Sequence, residues 1–195
     1  MLVSTLTSFL LSAMIQWNPP SQHAFYHQGE EYTINRYEDI AHDLAVVALI
    51  EEPLDVFSHE YDDEARAHTA LLIAAVSSYE SGGFREDVDR HLKKGDSGHS
   101  VCVAQIWLRP GEVIQSRQDC FRLALSRLRE SFVACRTLPI NERLAVYASG
   151  KCDIGRVAAR KRWARMEEFW SSAPWFSEEP LLLPNAKTAP PLVVQ

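Results

Sequence analysis

Residues 71–83 read Leu71-Leu72-Ile73-Ala74-Ala75-Val76-Ser77-Ser78-Tyr79-Glu80-Ser81-Gly82-Gly83, and this stretch decides the fold. The run is part of a helix expected over 64–80, capped by Asp62 or Asp63, whose second half is nearly all apolar. A helix without a polar face belongs inside a domain rather than on its surface. Ser81-Gly82-Gly83 then break it at once. Glu80 is thereby delivered to the C-terminal end of a buried helix, at the floor of a cleft. Burial disfavours an ionised carboxyl, and the negative end of the helix dipole acts in the same direction. The spacing therefore points to an acid kept protonated near neutral pH, which can give its proton to a leaving oxygen. The plain alternative is a helix-terminal carboxylate in water.

Downstream, residues 82–101 contain Gly82, Gly83, Gly95 and Gly98 and no helical period, so a small β-hairpin or irregular lobe is expected there. Cys102–Leu108 is expected to start a short helix that Arg109-Pro110-Gly111 stop. Cys120, Leu123, Ala124, Leu128, Phe132 and Cys135 recur on one face and predict an amphipathic helix over 116–135. Pro139 opens a further helix through Leu144 and Tyr147 to Ser149-Gly150, and Asp153 caps a last long helix over 154–171. Upstream, Asn35 and Glu38 have capping-box spacing ahead of a helix over 37–52 that Pro53 ends. Leu2, Leu6, Phe9, Leu10 and Ala13 fall near one face of an N-terminal helix, docked on its own domain or on a partner chain. Its apolar run lacks the basic start and cleavage site of a secretion signal and is too short to span a bilayer; an uncleaved anchor is the alternative. The chain divides into an N-terminal apolar helix (1–20), a mostly α domain (21–172) and a proline-rich extended tail (173–195).

At 195 residues the chain can bury one substantial core. Its formal net charge of −6 argues against a general nucleic-acid-binding surface. Arg156, Arg160, Lys161, Arg162 and Arg165 spread around one helix and read as a solvated face. The cysteines at 102, 120, 135 and 152 form no C-x-x-C pair, so a zinc ribbon or thioredoxin-like site is unsupported. They permit disulfides without requiring them; Cys135–Cys152 would close the segment between two helices, and free buried thiols are the alternative. His91 and His99 lie near the expected cleft. His59 and His68 lack the spacing of metal ligands on one helix face, and no H-E-x-x-H, P-loop, G-x-S-x-G or Rossmann glycine pattern occurs. No metal or cofactor is expected.

Three separated segments together resemble a family. Tyr79-Glu80-Ser81-Gly82-Gly83-Phe84 is similar to the E-S-G-F segment that carries the catalytic acid in soluble lytic transglycosylases and goose-type lysozymes. Cys102-Val103-Ala104-Gln105-Ile106 resembles their G-L-M-Q-I segment, and Tyr147-Ala148-Ser149-Gly150 their A-Y-N-A-G segment. The order matches, with an amphipathic helix between the second and third pieces, and the likeness covers roughly residues 64–170. Cys102 stands where the family has Gly, Ala104 where it has Met, and Ala148 where it has Asn.

The resemblance implies a lysozyme-like domain acting on the β-1,4 bond between N-acetylmuramic acid and N-acetylglucosamine of peptidoglycan. Glu80 would be the general acid and later the base, and Ser81 would support the sugar or the glutamate. Gln105 would hydrogen-bond substrate with Ile106 packed beneath, and Tyr147 would point its hydroxyl toward Glu80. The substrate's N-acetyl group would assist at the anomeric carbon, so one protein carboxylate can suffice. Asp96, bracketed by Gly95 and Gly98, is the preferred candidate for a second carboxylate, ahead of Asp87 and Asp89; a solvated turn residue is the alternative. The expected partners are a peptidoglycan glycan strand and, through the two chain ends, virion or tail proteins of a bacteriophage. The expected location is the virion or the host periplasm and cell wall. A non-catalytic phage protein retaining the scaffold is the rival reading.

Overall fold

The computed structural model describes residues 1–23, 29–58, 61–95 and 98–172. The expected proline-rich tail (173–195) and Asp96 lie outside the described residues. The protein is mostly α-helical with one small antiparallel hairpin.

Helix α3 (Asp62–Glu80) is buried on every side from Ala67 through Ser78. Its apolar circumference demands neighbours all round. Four helices supply them: α1 (Val3–Trp17), α2 (Gly29–Ile50), α5 (Arg117–Ala134) and α7 (Arg156–Ser172). In α1 the residues Leu6, Phe9, Leu10, Ala13 and Met14 are buried in the same core. The Phe9 ring meets Phe169 at 5.3 Å and Trp170 at 5.9 Å in edge contacts. The N-terminal helix thus docks on its own domain, although Leu2, expected on the docking face, is exposed. Among the described residues no helix is long and apolar enough to cross a membrane.

Helix ends depart from the sequence expectation where tertiary bonds replace local caps. α2 begins at Gly29, so Asn35 lies inside the helix and caps nothing. The extra turns are held from outside: the Tyr32 hydroxyl donates to Glu86 at 2.8 Å, and Tyr37 donates to the Gly83 carbonyl at 3.2 Å. The other end of α2 is closed by Arg66 of α3, whose Nη1 donates to the carbonyls of Ala48, Leu49 and Glu51 at 3.1, 3.1 and 2.8 Å. Those carbonyls would otherwise lack partners at a helix end. Tyr61 is the N-cap of α3, with Asp62 and Asp63 in its first turn, where negative charge suits the helix dipole. Asp153 lies in the turn before α7 and does not cap it. Only α5 follows its local signal closely, with Ser116 and Asp119 forming a reciprocal capping box.

The segment Cys102–Leu108 is not helical. Strands β1 (Ser100–Val101) and β2 (Ile106–Trp107) pair antiparallel, with Val101 opposite Ile106, and Cys102–Gln105 is the turn between them. The hairpin therefore straddles the boundary at which lobe and helix were expected to meet. Cys102 (φ 61°) and Gln105 (φ 48°) both adopt the left-handed region, which no helix contains. A single helical turn, α4 (Glu86–Asp89), occupies the lobe, and Gly95 bridges to Ser100. A 3₁₀ turn at Ile140–Glu142 and the short helix α6 (Ala145–Ser149) replace the one helix expected after Pro139.

All four cysteines are paired. Cys135–Cys152 joins the end of α5 to the approach to α7, and Cys102–Cys120 joins the hairpin turn to α5. Loops of 17 and 18 residues each contribute on the order of 3 kcal/mol in the chain-entropy picture. A buried ionic cluster adds a third tie. Arg117 donates to Asp89 twice, at 2.9 and 3.0 Å, and to Asp43 at 2.6 Å, with Arg36 at 3.7 Å from Asp89. Burial alone would lower the Arg117 pKa, but the two carboxylates outweigh it and hold the guanidinium above its ordinary range.

Asp89 is 2% exposed and bound on both oxygens, so it is a structural group rather than a second catalytic carboxylate. Asp87 pairs with Arg85 at 2.5 Å in a contact about one-third exposed on each side. Asp89→Ala should lower the unfolding free energy by about 3 kcal/mol, because it leaves Arg117 with Asp43 alone and takes the nearby carboxylate from Arg36. Asp87→Ala should lower it by less than about 1 kcal/mol. Urea unfolding of the two variants checks this, and equal losses would refute the assignment.

Candidate active site

The site is assembled from the end of α3, the hairpin turn and α6. At the end of α3, Ser81 Oγ donates to the Ser77 carbonyl at 2.6 Å and accepts the Phe84 amide at 2.7 Å. Ser81 is 2% exposed, so its hydroxyl builds the turn after Glu80 and does not face a ligand. Gly82 (φ 64°) and Gly83 (φ 91°) carry the chain backward, and the Gly83 amide closes on the Ser78 carbonyl at 2.7 Å. These left-handed angles are where glycine costs least.

The Glu80 carboxylate meets Arg162 of α7. Oε1 accepts from Arg162 Nε at 3.1 Å and from Nη2 at 2.5 Å. The remaining arginine nitrogen, Nη1, donates to the Ala158 carbonyl at 2.9 Å. The arginine side chain is 11% exposed and that of Glu80 is 21% exposed. An adjacent guanidinium favours the ionised carboxylate, opposing the effect of burial and of the helix end. The expectation of a protonated resting acid omitted this partner.

The five cations of α7 are accordingly not one solvated face. Arg156 and Arg160 both bind the buried Glu142, the latter at 2.5 Å. Arg165 lies over the Tyr79 ring at 4.1 Å and donates to Ser78 Oγ at 2.5 Å. Lys161 is exposed, as a solvated helix face requires.

The hairpin and α6 face each other across a cleft of about 530 Å³. Gln105, Ile106 and Tyr147 all line it, so two of the three resembling segments are brought together. Gln105 Nε2 donates to the Cys102 carbonyl at 3.0 Å, which fixes the side chain against its own turn. Ile106 is buried beneath. The Tyr147 hydroxyl donates to the Ala104 carbonyl at 2.7 Å, and its amide donates to Ser131 Oγ at 3.1 Å. Glu80 is not among the cleft-lining residues. It lies close enough to Tyr147 for its charge to act on the phenol, which is raised well above its ordinary pKa by burial first and by Glu80 second.

Trp107 was not singled out in the sequence. It is 56% exposed, lines the cleft, and stacks on His99 with ring centres 4.7 Å apart and planes 11° apart. One face of the indole is thus fixed, leaving a flat apolar surface at the cleft. The available signal was a tryptophan directly after Gln105-Ile106.

The far wall is ionic. Arg109 and Arg127 share Glu130, and Arg127 also holds Glu112 at 2.5 and 2.6 Å. Glu112 is lowered by the Arg109 amide and then by Arg127, and Glu130 chiefly by Arg109. These carboxylates are ionised and unsuited to proton donation near neutral pH. Among the described residues no group of three or more His, Cys, Asp or Glu side chains is placed to hold a metal. No family model, curated protein or solved structure matches the chain.

Two glycines set the geometry. A Cβ at Gly95 would fall 2.1 Å from Gln105 Oε1, the end of a flexible side chain, whereas one at Gly155 would fall 2.1 Å from the Ala145 carbonyl, which is backbone. Gly155→Ala should therefore cost about 1–3 kcal/mol on thermal or urea unfolding. Gly95→Ala should be nearly neutral in stability and should displace the Gln105 amide resonances in NMR spectra; the reverse pattern would refute the geometry.

Tyr37 is fully buried, and desolvation pushes its phenol up to about 12, against a smaller lowering by Arg36. An unfolded tyrosine ionises near 10. Below that pH both states hold the proton and stability is unaffected. Between about 10 and 12 the unfolded chain releases a proton that the native chain keeps, so stability falls as pH rises. Absorbance titration of phenolate should show late-ionising tyrosines in the native protein, and Tyr37→Phe should remove one of them.

Proposed function

We propose that this protein cleaves peptidoglycan as a muramidase or lytic transglycosylase at the bond between N-acetylmuramic acid and N-acetylglucosamine. The observation that carries the reading is the common cleft of Gln105, Ile106 and Tyr147, with Glu80 at the end of a buried helix beside Tyr147. Two of the three resembling segments, distant in sequence, share that cleft, and the third ends at Glu80, close enough to Tyr147 for its charge to act there.

In this mechanism the protonated Glu80 gives its proton to the leaving glycosidic oxygen as the carbon–oxygen bond breaks. The substrate's acetamido oxygen supports the anomeric carbon from the other side. Glu80, now a carboxylate, then takes the proton of the attacking hydroxyl, which belongs to water or to the sugar itself. Gln105 offers an amide to the sugar, and Trp107 offers a flat surface to the C–H face of a pyranose ring. Working in the virion or in the host periplasm agrees with the paired cysteines, since disulfides persist outside reducing cytosol. Bacteriophage origin and contact with virion or tail proteins belong to this proposal too.

The rival is a non-catalytic protein with the same scaffold. Its specific support is Arg162, which favours the ionised form of Glu80 and so lowers the fraction ready to act as acid. Digestion of purified sacculi followed by mass spectrometry of released muropeptides separates the two. Wild type should release them, and Glu80→Gln should reduce release by at least about 100-fold, the usual share of general acid catalysis. Release by the variant at the wild-type rate would refute Glu80 as the acid, and no release by wild type would refute the enzyme reading in favour of the rival.

Trp107→Ala should weaken binding of a chitin oligosaccharide roughly 3- to 10-fold, read by calorimetry, in line with the worth of one aromatic stacking contact. Unchanged affinity would remove Trp107 from the site.

A further inference from the structure

Arg162 joins the expected acid to the helix layer behind it, and its placement carries more than an ordinary ion pair does. It comes from α7, 82 residues away in sequence, and is almost fully enclosed. Two of its nitrogens converge on one oxygen of Glu80 and the third is tied to the Ala158 carbonyl. Its guanidinium lies 5.5 Å from the Tyr79 ring centre, and Arg165 covers the same ring at 4.1 Å. The fork cannot swing away without giving up its bond to backbone and its contact with the ring.

We infer that Arg162 is a positioning residue for Glu80, holding its carboxylate in one orientation and stabilising the negative charge that appears when the proton leaves for substrate. This rests on the proposed glycan cleavage. As the glycosidic bond breaks, the O–H bond of Glu80 breaks too, the electron pair stays on the carboxylate, and the proton goes to the leaving oxygen. Charge develops on Glu80 in that step, beside a fixed cation that needs no reorganisation. The same cation favours the carboxylate at rest, so a smaller fraction of molecules carries the proton at neutral pH. Arg162 therefore trades the population of the acid against the ease of its ionisation, and activity should be favoured on the acid side.

Several described groups surround Glu80. Tyr79 and Ser81 flank it on its own chain, Tyr147 of α6 stands near it with a neutral phenol, and Arg162 and Arg165 approach from α7. Arg127 of α5 acts on Tyr147. Arg162 is the member of this set that hydrogen-bonds Glu80 through two nitrogens, and its removal should dominate any change.

The test compares wild type, Arg162→Gln and Arg162→Lys by two readouts across pH 4 to 9: muropeptide release from sacculi, and the carboxyl carbon resonance of Glu80, assigned with Glu80→Gln. Arg162→Gln should move the falling limb of the activity profile and the Glu80 carbon titration to higher pH together, by about one unit or more. Its maximal rate should fall roughly 10- to 100-fold. Arg162→Lys keeps the charge and loses the fork, so its titration should stay nearer wild type while its rate falls. A carbon titration identical in wild type and both variants would overturn the inference, as would a rate loss with an unmoved pH limb. Absence of activity in wild type would count against the glycan-cleaving reading, and the carbon titration would still decide whether Arg162 governs Glu80. If Arg162→Gln does not fold, Arg162→Lys supplies the comparison: an unchanged rate with the fork removed overturns the positioning role.

Discussion

A helix that is apolar on every face has to be surrounded, and most of the architecture follows from that requirement on α3. Twelve consecutive residues, Ala67 through Ser78, are buried, which no packing against one neighbour could achieve. α1, α2, α5 and α7 each close part of the circumference. The aromatic layer of Phe9, Phe169 and Trp170 seals the contact between the first and last of these helices. A central helix must also end somewhere, and this one ends at Glu80. The polar requirements of that end then fix what approaches it: Tyr37 from α2 on the Gly83 carbonyl, Arg162 from α7 on the carboxylate, and Tyr147 from α6 close by.

Burying ions is costly unless each finds a partner, and the buried Asp89 and the half-buried Glu80 are treated alike. Asp89 is bound by Arg117 through two parallel bonds, and Glu80 by Arg162 through two nitrogens. The planar fork of arginine suits both, because a lysine ammonium would be a more strongly hydrated point charge. The pairs differ in surroundings. Asp89 is 2% exposed and shares its arginine with Asp43, whereas the Glu80 side chain is 21% exposed and next to a cleft residue. That remaining access distinguishes a group able to exchange a proton from one that only ties helices together.

The central helix, its end at Glu80 and the amphipathic α5 were legible in the sequence because their signals are local: an unbroken apolar run, a Ser-Gly-Gly stop, and Ser116 with Asp119 in capping register. The convergence of Gln105 and Tyr147 was reached through resemblance alone, since no periodicity links positions 42 residues apart. What escaped depends on distant partners. Arg162 looked like one of five exposed cations because its neighbours on α7 are charged too, and only the docking of α7 on α3 reveals that it faces inward. Asn35 carried a valid capping signal, but α2 starts at Gly29, and Tyr32 and Tyr37 of that helix bind partners distant in sequence. The hairpin was placed too early because Cys102–Gln105 lacks the Asn-Gly or Asp-Gly turn signature.

That turn contains its own compensation. Cys102 stands where the resembling family has glycine, and its φ of 61° is the conformation for which glycine is best suited. An L-residue there costs roughly 1–2 kcal/mol. The disulfide to Cys120 contributes on the order of 3 kcal/mol and ties the turn to α5, which more than offsets the backbone strain. Gln105, also left-handed, is held by a bond to the Cys102 carbonyl, and the neighbouring Ala104 carbonyl is taken by Tyr147. The residues of this turn are therefore coherent as a set. A covalent tie does at Cys102 what backbone freedom does for glycine, a small Ala104 lets the Tyr147 hydroxyl reach the backbone, and the amide of Gln105 stays in the cleft. The disulfide and the two side-chain hydrogen bonds together hold this turn, with Gln105 and Tyr147 both lining the cleft.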